Sequence, residues 1–116
     1  MKTYLLFINK ENSVAYARDC FESCKRYGLE TIAVTGITDI PSDQLGPAKG
    51  LKFRSYNPEY SNEYACTVGH IEIWKRIVES NEPGIILEHD ALVVSEKIND
   101  IVVKDGEELV IWGVVT

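Results

Sequence analysis

Residues 61–91, SNEYACTVGHIEIWKRIVESNEPGIILEHDA, decide the fold of this chain. Cys66, His70, Ile73, Trp74 and Ile77 converge on one side at helical spacing, while Glu72, Lys75, Arg76 and Glu79 fill the other, so the segment reads as an amphipathic helix packed on a sheet. Ser61 or Asn62 can cap its start, and Asn81-Glu82-Pro83 stops it, because proline cannot continue the backbone ladder. Gly84-Ile85-Ile86-Leu87 is apolar without alternation, the pattern of a strand buried on both faces. It ends in Glu88-His89-Asp90-Ala91. Extended to that tip, strand alternation projects Glu88 and Asp90 together and turns His89 away. Two carboxylates at one mouth repel, and a divalent cation relieves the repulsion.

Working towards the N-terminus, Tyr4 to Ile8 form a continuous apolar run that reads as a first buried strand. The polar Asn9-Lys10-Glu11-Asn12-Ser13 then opens a helix. Val14, Ala17, Phe21 and Cys24 recur at steps of three and four, Tyr27 extends that side, and Asp19, Glu22, Ser23 and Arg26 occupy the other. Gly28 is its expected C-terminal stop. Thr31 to Thr35 is rich in β-branched residues, which completes a strand-helix-strand unit with an expected right-handed crossover. The fold class is therefore α/β, with a mostly parallel sheet in a three-layer arrangement.

Between Gly36 and Tyr60 the periodicity dissolves among Pro41, Gly46, Pro47, Gly50 and Pro58, the signature of a long binding loop or lid, shortened if Leu51 to Phe53 form a strand. Beyond Ala91 come Leu92-Val93-Val94, a polar interval, a short Ile101-Val102-Val103 run and a turn at Asp105-Gly106. Leu109 to Val115 is apolar throughout and reads as a central strand.

The whole chain sets bounds on function. Its 116 residues suit one domain, 1–116, and its 45% hydrophobic and 26% charged composition is that of an ordinary globular protein. A net charge of -6 with scattered Lys and Arg argues against nucleic acid as a partner. No run approaches the roughly 20 apolar residues of a membrane span, and the apolar run at the start is too short and lacks the cleavage site of an export signal. Cys20, Cys24 and Cys66 form neither a Cys-x-x-Cys pair nor a spaced zinc set, which favours a reducing compartment. Cys20 and Cys24 read as small core residues, as do Trp74 and Trp112 as large ones.

Glu88-x-Asp90 sits where ligands collect in open α/β sheets, outside the carboxyl ends of the strands. Hard oxygen donors suit Mg2+ or Mn2+, which bind through one or two carboxylates with substrate phosphates and water completing the shell. His70 lies in the middle of an apolar face and reads either as a hydrogen-bonded core histidine or as a substrate contact.

Ala65-Cys66-Thr67-Val68-Gly69-His70, Trp74-Lys75, Glu79-Ser80-Asn81-Glu82-Pro83 and Ile86-Leu87-Glu88-His89-Asp90-Ala91 together resemble glycosyltransferase family 25, which includes lipopolysaccharide and β-galactosyl transferases. Ile8-Asn9 resembles that family's first strand, and Leu109 to Gly113 the strand after its acidic motif. The resemblance implies a truncated GT-A fold that binds a nucleotide-diphosphate sugar through Mn2+ or Mg2+ and transfers the sugar to a glycan acceptor. It implies substrate contacts from Asn9, His70, Glu88 and Asp90, with Glu88 and Asp90 on the metal and His89 as an additional nitrogen ligand. There are departures. His89 stands where the family commonly has the middle Asp, Gly69 replaces the usual Ser, and Glu11-Asn12-Ser13 replaces a basic cluster. The chain is also shorter than family catalytic domains, so no general base is assigned, and a homo-oligomer or a completing partner chain would supply the rest. A cytoplasmic location follows from the nucleotide-sugar donor. The alternative is a non-catalytic GT-A-like scaffold or protein-interaction module.

Overall fold

A computed structural model describes residues 1–36, 44, 50 and 61–100. The expected strands at Leu51–Phe53 and Leu109–Val115, the Ile101–Val103 run, the turn at Asp105-Gly106, Trp112 and nearly all of the long loop lie outside the described residues.

Among the described residues the elements run β1 (Lys2–Ile8), α1 (Glu11–Arg26), β2 (Thr31–Gly36), α2 (Ser61–Ser80), β3 (Gly84–Glu88), followed by a 3-10 helix at Glu96–Asp100. The three strands form one parallel sheet in the order β2-β1-β3, with Leu6 opposite Val34 on one side and Glu88 on the other. The first crossover runs from the centre to one edge, and the second from that edge past the centre to the other. Two crossovers of one hand in opposite directions must lie on opposite faces. Helices do cover both faces. Leu5 packs with Ala17, Cys20 and Cys24 of α1, whereas Tyr4, Leu6 and Val34 pack with Ile73 of α2. This explains why β1, buried from both sides, reads as an unbroken apolar run, whereas β2 and β3 at the edges are half-buried or exposed over most of their length.

Both helices end as their sequences require. Gly28 has a φ of 74°, its N–H reaches the Lys25 carbonyl and that of Leu29 reaches Cys24, so two otherwise orphaned carbonyls are satisfied. Asn81 takes a φ of 55°, a conformation that asparagine tolerates better than most residues, and Pro83 follows.

The buried faces differ from expectation in both helices. In α1 they comprise Ser13, Ala17, Cys20, Ser23 and Cys24, while Phe21 is 39% exposed. Ser23, expected at the surface, is buried because its hydroxyl is satisfied: it donates to the Cys20 carbonyl at 2.6 Å and accepts the Val93 N–H at 2.9 Å. Ser13 Oγ likewise accepts the Ile8 N–H at 2.9 Å. A hydrogen-bonded hydroxyl costs little to bury, so the count of apolar residues alone set the face wrongly. In α2, Ile73 is fully buried, and Trp74, expected in the core, is 54% exposed. Successive helical residues diverge by about 100°, so with Ile73 aimed at the sheet its neighbour cannot be. Cys20 and Cys24 are fully buried, as their spacing predicted.

Candidate functional site

The sheet makes a switch point. The chain leaves central β1 towards β2 and later returns on the far side as β3, so the carboxyl ends of β1 and β3 border a crevice of the kind in which α/β proteins bind ligands. Asn9, exposed, directly follows β1, and Glu88 is the last residue of β3.

Glu88 pairs in register with Leu6 and faces the α2 side with it. Helix α2 and β3 are joined by the short stop at 81–83 and run in opposite directions, which carries the first half of α2 back to the carboxyl end of the strand. Cys66 and His70, four apart and hence neighbours on one helical side, meet Glu88 there. His70 Nε2 lies 3.3 Å from Glu88 Oε1, and Cys66 Sγ donates to the same oxygen at 3.8 Å. The ligand atoms of all three residues lie within 4.8 Å of one another. The Glu88 side chain is 57% and that of His70 25% exposed, so the cluster opens to solvent. Burial, and then the Glu88 carboxylate beside it, hold the Cys66 thiol above its usual range.

Helix α2 can approach this closely because residue 69 is glycine: a Cβ there would lie 3.1 and 3.2 Å from the two methyl carbons of Leu6. A serine at this position would press on the Leu6 side chain of β1.

The strand stops at Glu88, so alternation does not extend to Asp90. Residues 88–91 instead form a turn closed by the Ala91 N–H on the Glu88 carbonyl at 3.0 Å. His89 does turn away from the Glu88 side: its ring stacks with Tyr16 of α1, with centroids 6.0 Å apart. Asp90 is exposed, and its charge is felt by Cys20 on α1. The Cys20 thiol is pushed up to about 12, first by burial, then by Cys24, then by Asp90. Of the residues singled out from sequence, the fold thus brings His70 to Glu88, sets Asn9 on the adjacent strand end, and carries His89 and Asp90 into a turn. Cys66 was not among them. Its signal was the i, i+4 spacing to His70.

An apolar cavity of about 210 Å3 lies elsewhere, under α1, lined by Leu5, Phe7, Val14, Phe21 and Ala33 among others. Its charged lining residues are Arg18 and Glu22, both on α1 and so on the sheet face opposite Glu88. Among the described residues no helix is long and apolar enough to cross a membrane.

No curated protein and no solved structure matches the chain. A family profile does, that of glycosyltransferase family 25 (LPS biosynthesis protein), over residues 51–112. The matched span contains α2, the stop at 81–83, β3 and the acidic turn, and it covers more than half of the sequence. On that match the chain belongs to glycosyltransferase family 25.

Proposed function

We propose that this chain is the nucleotide-sugar-binding part of a GT-A type glycosyltransferase, which transfers a sugar from a nucleotide diphosphate to a glycan acceptor. One observation carries the reading: an exposed acidic strand end, Glu88, sits inside the family span and beside the end of the central strand. A hard divalent cation fits Glu88, an exposed carboxylate at a strand end, because Mg2+ or Mn2+ needs only one or two such ligands from the protein. When bound, such an ion neutralises charge on a diphosphate leaving group.

The chain's own groups do the rest. Glu88 would hold the ion from the end of β3, with Asp90, the third residue of the turn, as its second carboxylate. Asn9, at the neighbouring strand end, offers an amide to the nucleotide or sugar hydroxyls. His70 contacts Glu88 Oε1 and fixes the orientation of its carboxylate.

The test is thermal stability in Mn2+, with and without a uridine or cytidine diphosphate. A ligand at 100 times its Kd that binds only the folded chain contributes about 2.7 kcal/mol. The expected result is a shift that requires both ion and diphosphate and is lost in Glu88→Gln/Asp90→Asn. No shift at saturation overturns the proposal and leaves the non-catalytic scaffold.

A further inference from the structure

We infer that Cys66, His70 and Glu88 form a site for a borderline divalent cation, Zn2+ in particular, separate in chemistry from the Mg2+ or Mn2+ of the proposed sugar-transfer reaction. The donor set itself makes the distinction. A thiolate sulfur and an imidazole nitrogen favour zinc, whereas magnesium and manganese favour oxygen ligands throughout.

Geometry supports the assignment. Zinc takes sulfur at about 2.3 Å, nitrogen at about 2.0–2.1 Å and carboxylate oxygen at about 2.0–2.2 Å in a tetrahedron, which sets nitrogen–oxygen and sulfur–oxygen edges of roughly 3.4 and 3.6 Å. The corresponding separations here are 3.3 Å for His70 Nε2 to Glu88 Oε1 and 3.8 Å for Cys66 Sγ to the same oxygen. The third edge, sulfur to nitrogen, lies within 4.8 Å against roughly 3.6 Å in a zinc tetrahedron, a closure within reach of side-chain rotation at Cys66 and His70 on α2. On binding, the thiol gives its proton to solvent and sulfur replaces a hydrogen bond with a metal bond. Three protein ligands leave the fourth position to water or to a substrate oxygen, the pattern of accessible rather than purely structural zinc sites. The exposure of Cys66 and Glu88 keeps that position open. Because Glu88 is shared, zinc here withdraws it from the acidic motif and competes with a manganese–diphosphate complex.

Cobalt(II) tests the site without any nucleotide. Titrated into the full metal-free chain, Co2+ is expected to give a thiolate-to-cobalt charge-transfer band in the near ultraviolet and intense visible bands of a tetrahedral centre, saturating at one equivalent and displaced by Zn2+. Cys66→Ser is expected to abolish the charge-transfer band. His70→Ala and Glu88→Gln are each expected to weaken binding by more than about 100-fold, since loss of a direct ligand exceeds the loss of a supporting partner. Asp90→Asn is expected to leave the cobalt spectrum unchanged, although it removes a ligand of the proposed manganese complex, so the two readings fail separately. Alkylation of Cys66, mapped by mass spectrometry in the wild-type chain, is expected to be blocked by one equivalent of zinc. No charge-transfer band in a natively folded chain, a band that survives Cys66→Ser, or alkylation of Cys66 unaffected by zinc overturns the inference.

Discussion

Replacing Ser23 by Ala is the most direct check on how α1 holds the segment that follows the acidic turn. The Ser23 hydroxyl accepts the Val93 N–H across 70 positions of sequence and donates to the Cys20 carbonyl. Losing the donated bond costs little, because a mid-helix carbonyl has its own ladder partner. Losing the acceptor leaves the amide of Val93, a buried residue, without that bond, at a cost of about 1–3 kcal/mol. Alanine returns up to about 0.5 kcal/mol through its higher helix propensity. The net expectation is a destabilisation of about 1–2 kcal/mol, read as a lower urea midpoint at unchanged slope and as a fall of several degrees in Tm. Amide exchange sharpens the test, since the Val93 N–H is expected to lose more protection than amides of β1. A loss below about 0.5 kcal/mol, with Val93 protection intact, would refute the account of why a serine lies on the inner face of α1.

Two further outcomes follow from the described core. Ile73→Ala is expected to cost about 2–5 kcal/mol, while Trp74→Ala, despite removing a larger side chain, is expected to cost under about 1 kcal/mol; urea denaturation of the pair reverses this order if Trp74 is the core residue. Stability is also expected to fall in alkaline solution because of Cys20. Its folded-state value of about 12 against an ordinary 9.0 means that the folded chain keeps a proton the unfolded chain releases. The contribution is fully present below about pH 9 and is lost as pH rises towards 12, and Cys20→Ala is expected to flatten that limb of a denaturation-versus-pH series.

Much of the architecture could be read from the residues because runs of apolar and β-branched residues mark strands, although only β1 is buried on both faces, while β2 and β3 are half-buried or exposed along most of their length. Tyr4–Ile8, Thr31–Thr35 and Gly84–Leu87 all became strands of one parallel sheet, extended by one or two residues at an end. Punctuation was equally legible in Gly28 and in Asn81 with Pro83, where backbone geometry restricts the choice of residue. Helix rotation was not. The faces of α1 and α2 depend on which hydroxyls find partners and on the line along which a helix meets the sheet, and neither is encoded in local hydrophobicity. The site was legible in part. His70 and Glu88 were marked by the family resemblance, but their convergence with Cys66 is a through-space relation between a helix and a strand end. The shared opening expected for Glu88 and Asp90 assumed that the strand continued, whereas it ends at Glu88.

Strand β1 leaves the ribosome before either of its neighbours, yet it is the central member of the sheet. One of its edges finds β2 soon after synthesis, but the other waits for residues 84–88. Until then a run of Tyr, Leu and Phe side chains carries an open ladder of amides and carbonyls, the sort of edge that recruits strands from other molecules. Newly made chains should therefore be most prone to association in the interval before β3 emerges, and to lose that tendency once it docks. A nascent chain arrested between β2 and β3 would be the vulnerable species.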